Sequence, residues 1–87
     1  MDKKIKMFLA QQFGNKPICS LIVVYENDVQ AYGINPNNLK WYDKSRLYLD
    51  YQFCKENTVY EISEQEALNL IKSWGGTLDN LPESWNL

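Results

Sequence analysis

The segment Ile18-Cys19-Ser20-Leu21-Ile22-Val23-Val24-Tyr25 is apolar on both of the faces that a strand would present. Successive side chains of a strand point to opposite faces. Ile18, Ser20, Ile22 and Val24 therefore share one face, and Cys19, Leu21, Val23 and Tyr25 share the other. Leaving either set in water would forfeit about 1.5–3 kcal/mol per large side chain. The pattern predicts a central strand covered on both sides.

The flanking segments read less evenly. Ile5, Met7 and Leu9 alternate as in a strand, while Ile5, Phe8, Leu9 and Phe13 have the spacing of a helix face. Lys3, Lys4 and Lys6 in a first helical turn would oppose the helix dipole. Gly14-Asn15-Lys16-Pro17 has turn composition, so a strand is the preferred reading. Glu26-Asn27-Asp28 suits a hairpin loop leading to a strand over residues 29–34. In that strand Val29, Ala31 and Gly33 oppose Gln30, Tyr32 and Ile34. Asn35-Pro36-Asn37-Asn38 then breaks the pattern, because Pro36 fixes φ and the Asn side chains support turns. Over 46–53, Leu47, Leu49, Tyr51 and Phe53 alternate with Arg46, Tyr48, Asp50 and Gln52, which predicts a half-buried strand with Tyr48 outward. Lys55-Glu56-Asn57 turns the chain into a further strand over 58–62.

The clearest helix start is Ser63-Glu64-Gln65-Glu66, a capping box in which the Ser63 hydroxyl and the Glu66 carboxylate satisfy each other's amides. Ala67, Leu68, Leu70, Ile71 and Trp74 form an apolar stripe, and Gly75-Gly76 ends the helix. The expected fold is α+β: a small antiparallel sheet of four to five strands, a meander curled toward a partial barrel, with one C-terminal amphipathic helix packed on it. That helix covers one sheet face. The other is left to curvature of the sheet, to the tail bearing Leu78, Leu81, Trp85 and Leu87, or in third place to a partner.

Composition narrows the picture. Eighty-seven residues, 45% hydrophobic and 23% charged, describe one folded domain over 1–87, with the tail 77–87 packed on the body. The net charge of −2 hides an asymmetry: residues 1–46 carry a net +3 and residues 47–87 a net −5. Neither half reaches the charge density of a nucleic-acid mimic or a typical nucleic-acid binder. No apolar stretch has the length of a signal-peptide core or a membrane span. Cys19 and Cys54 fit no metal or redox spacing, which suggests free thiols and a cytoplasmic setting.

The chain contains no histidine and a single arginine. The commonest general base, and the nucleophile pairings that depend on it, are therefore missing. The four glycines form no phosphate loop, and no acidic run has calcium-loop spacing. Glu64 and Glu66 are explained by the helix start, and Asp50 and Glu61 by outward strand positions. The expectation is a protein with no catalytic residues, no cofactor and no metal site.

What remains is the segment Leu39-Lys40-Trp41-Tyr42-Asp43-Lys44-Ser45-Arg46, with two large aromatics among three cations. Tyr and Trp beside Arg are the residue types that anchor protein interfaces. The candidate partner-binding set is Trp41, Tyr42, Lys44, Arg46 and Tyr48, with Tyr32 nearby on the preceding strand. The expected function is binding another protein, in the manner of a small inhibitor, immunity protein or accessory subunit such as phages and mobile elements encode. Self-association as a dimer is one form of it. The alternative is a single-stranded nucleic-acid binder that stacks bases on these rings and holds phosphates with Lys40, Lys44 and Arg46.

Overall fold

The computed structural model describes residues 5–26, 30–53 and 57–76. Within them run five strands and two helices: β1 (Ile5–Gln11), β2 (Ser20–Tyr25), β3 (Ala31–Ile34), β4 (Tyr42–Asp43), α1 (Ser45–Phe53), β5 (Val59–Ile62) and α2 (Glu64–Ser73). The sheet is open and wholly antiparallel, in the order β4-β3-β2-β1-β5. The first four strands follow one another as a meander. β5 breaks that order: the chain crosses the sheet through α1 and returns to pair with β1 at the far edge.

The segment 46–53, expected as a strand, is the helix α1. Tyr48 decides the matter. Counted as outward, it leaves a period-two pattern; counted as apolar, it joins Leu47 and Tyr51 at helical spacing. Tyr48 is 3% exposed and Phe53 is 76% exposed, the reverse of the alternating reading. A local start signal precedes the helix: the Asp43 carboxylate accepts from the Ser45 amide at 2.8 Å, and the Lys44 carbonyl accepts the first helical bond from Tyr48.

Two helices, one on each face, account for the apolar character of β2. Leu21, Val23 and Tyr25 face α2, in a cluster with Phe8, Ala10, Tyr32, Ile34, Ile62, Ala67 and Ile71. Ile22 and Val24 face α1, with Leu9, Ala31, Val59 and Tyr48, and with Met7, Leu47 and Tyr51 at the margin. Cover for the second face thus comes from α1, where sheet curvature or the tail had been expected. Residues 77–87 lie outside the described residues. The strand itself begins at Ser20, and Ile18 packs on the α2 side, opposite to the face that strict alternation assigned it.

β1 is a strand, as its alternation suggested, but it carries a bulge: Ile5 pairs with Tyr25 and Met7 with Val24, so Lys6 is the extra residue. The irregularity lets the Lys6 ammonium reach the Tyr48 hydroxyl on the α1 face, at 3.3 Å. α2 starts with the expected capping box, Ser63 Oγ accepting from the Glu66 amide and Glu66 Oε1 from the Ser63 amide. Its end is a Schellman motif, with the Gly76 amide bonded to the Ile71 carbonyl and the Gly75 amide to Lys72. Gly75 adopts φ +85°, a conformation that favours glycine.

Candidate partner-binding surface

Residues 35–46 bring the chain from β3 through β4 into α1. The Asn35 carboxamide oxygen accepts from the Asn37 amide at 3.1 Å, and the Asn35 carbonyl from the Leu39 amide at 3.2 Å. Leu39 takes φ +54°, and the Asn38 side chain accepts from the Lys40 amide at 3.2 Å. The turn is thereby held by its own asparagines. It delivers Tyr42 opposite Gly33 and Asp43 opposite Tyr32. The Lys44 amide then donates to the Ala31 carbonyl at 2.8 Å, and the Ala31 amide to Ser45 Oγ at 3.1 Å, which ties the start of α1 to β3.

The six candidate residues are divided by this geometry. Tyr32 is 6% exposed and belongs to the cluster beneath α2, its ring meeting that of Tyr25 edge to face at 6.0 Å. Tyr48 is buried beneath α1, where the strand expectation had placed it outward. The two lie on opposite faces of the sheet. Trp41 is half-buried and packs with Leu39 and Trp74 against the α2-side cluster. Tyr42 is 45% exposed and Arg46 is exposed. The stem of Lys44 lies across Gly33, on the α1 side of the sheet. Of the set, Tyr42 and Lys44 both lie at Gly33, Tyr42 as its strand partner and Lys44 through its stem, while Arg46 and the neighbouring Lys40 are exposed in the flanking chain.

Among these residues Tyr42 is the fixed element. Its hydroxyl accepts from the Asn38 side-chain amide at 2.8 Å, so an exposed ring is held in one direction. β4 is an edge strand two residues long, with cations before and after it in the chain. A strand so short, flanked by lysines, offers little backbone for another strand to pair with. Recognition at this edge would run through side chains. Cys19 is half-buried, its thiol directed at the Gln11 carbonyl at 3.4 Å, while Cys54 lies outside the described residues. Among the described residues no group of three or more Cys, Asp and Glu has the disposition of a metal site, and no helix is long and apolar enough to cross a membrane.

Comparison of the chain with models of protein families, with curated proteins and with solved structures finds no match in any of the three.

Proposed function

We propose that this chain is a small, non-catalytic, cytoplasmic protein that works by binding another protein through the β4 edge. Tyr42 is the anchor, Lys40 and Arg46 supply charge around it, and Trp41 supports the turn from the α2 side. One observation carries the reading: Tyr42 is 45% exposed yet held by the Asn38 amide. An aromatic side chain that is already ordered loses little rotational freedom on binding, and aromatic and Arg anchors dominate interface energetics. Inhibitors, immunity proteins and accessory subunits act in this manner, and the reading extends to self-association through the same surface.

The test uses a chain in which Tyr42→Ala is combined with Arg46→Ala. Both positions are exposed, so the double variant is expected to keep the thermal midpoint of the parent within a few degrees. A protein retained by the parent from native lysate, persisting through nuclease treatment and lost with the double variant, supports the reading. Recovery of nucleic acid alone, with steep salt dependence, supports the alternative instead. That alternative has fewer stacking planes than the sequence suggested, since Tyr32 and Tyr48 are both buried.

A further inference from the structure

At the opposite edge of the sheet, β5 is paired on one side only among the described residues. The Gln12 amide donates to the Thr58 carbonyl at 2.8 Å, which makes Gln12 and Thr58 a hydrogen-bonded pair. Pairs alternate along an antiparallel ladder. In the register Ala10–Tyr60 and Phe8–Ile62, the backbone groups of Tyr60 and Ile62 therefore turn toward β1. Those of Val59 and Glu61 turn to the outer edge, where no strand meets them among the described residues.

This edge is less protected than β4, its one charge being that of Glu61. β5 is four residues long, contains no lysine or proline, and runs in regular register with β1. Such an edge is a template for a further strand. On the α2 side of the sheet an open groove of about 330 Å³ lies between β5 and α2, lined by Ile18, Tyr60, Ile62, Leu70, Glu66 and Asn69. Tyr60 is 40% exposed, with its hydroxyl bonded to the Gln12 side chain at 3.0 Å. A strand laid along β5 would direct alternate side chains to the α2 side, where this groove opens, and the others toward the face that bears Glu61.

We infer that the outer edge of β5 is a strand-addition site for an extended peptide in which apolar residues alternate with lysine or arginine. The apolar residues fill the groove between Tyr60 and Leu70. The basic residues lie beside Glu61, and the backbone meets the outward groups of Val59 and Glu61. Charge selects this occupant. Glu61 is exposed on the face that the basic residues take, with Glu64 exposed at the start of α2 and Glu66, bonded to the Ser63 amide, at the groove, all in the half of the chain that carries a net −5. A second copy paired through β5 would bring two such acidic sets together, and like charges across strands are destabilising. The site is separate from the Tyr42 surface, so either reading can fail without the other.

The experiment is a titration of the isotope-labelled full-length chain with an end-capped peptide of alternating leucine and lysine, about ten residues long, followed by amide chemical shifts. A peptide of alternating leucine and glutamate is the control. Saturable shifts at Val59, Glu61 and Leu70 with the basic peptide, weaker at high salt and absent with the acidic one, are expected. Glu61→Lys should weaken binding by about fivefold or more while leaving the unliganded spectrum folded, and Glu61→Gln should weaken it less. Four results overturn the inference: no saturable shift, equal binding of both peptides, concentration-dependent shifts at β5 from the chain alone, or groove contacts from residues 77–87 that exclude the peptide.

Discussion

Gly33 sits in β3 where a Cβ would lie 2.7 Å from Lys44 Cγ and 3.2 Å from Ser20 Oγ. The close approach of Lys44 to the sheet thus depends on the missing side chain. Gly33→Ala is expected to lower stability by about 1–3 kcal/mol, the usual range for overfilling a packed site. In a Lys44→Ala background, which removes Cγ, the same change should cost markedly less, with a coupling of about 1 kcal/mol in denaturant unfolding. Additive effects would mean that another contact keeps this position small. Tyr25 makes a different prediction. Burial, and secondarily its neighbour Tyr32, raise its phenol pKa from 10.0 to about 12. Between these values the unfolded chain loses a proton that the folded chain retains, so stability should fall as pH rises through that window. Unfolding midpoints across the alkaline range check it, and Tyr25→Phe should flatten the decline. Neither effect was visible from residue order, because both depend on which strand lies beside which. The left-handed Leu39 was equally silent, since leucine carries no preference for that conformation.

Helix α1 separates two kinds of local signal. α2 was legible because a capping box, an apolar stripe and a glycine pair all act within one short segment. α1 has no basic residue in its last turn and no acidic residue in its first, and its apolar residues satisfy two periods at once. Tyr48 can be read as polar or apolar, and the period changes with the choice. The stability of variants distinguishes the two arrangements. Tyr48→Ala should cost about 3 kcal/mol or more, in the range for deleting a buried aromatic ring. Phe53→Ala should stay within about 0.5 kcal/mol, as for other exposed positions. A strand over 46–53 would reverse that order. The same ambiguity of period puts Tyr48 on the outer face of a strand, whereas in α1 it is buried. Residue type alone singled out Tyr42, Lys44 and Arg46 as candidates, but the separation of Trp41 from Tyr42 follows from how the turn seats Trp41 on the α2-side cluster.

As a whole the described residues form three layers, with α1 and α2 on opposite faces of one open sheet. The two clusters share no buried residue. Ile22→Val beneath α1 and Ile71→Val beneath α2 should each cost about 0.5–1.5 kcal/mol. Together they should add to within about 0.5 kcal/mol. A larger departure in the double variant would show the two layers to be coupled through the strands. From sequence alone the main strands, the second helix and the requirement that both faces of β2 be covered were determined. Those features arise from periodicity and from capping, which operate over a few neighbouring residues. The path from β4 across to β5, and the identity of the second cover, were decided only by tertiary structure. A segment whose apolar residues fit either period takes the conformation that buries them, and the exposed α1 face of the sheet supplied the surface that made 45–53 a helix.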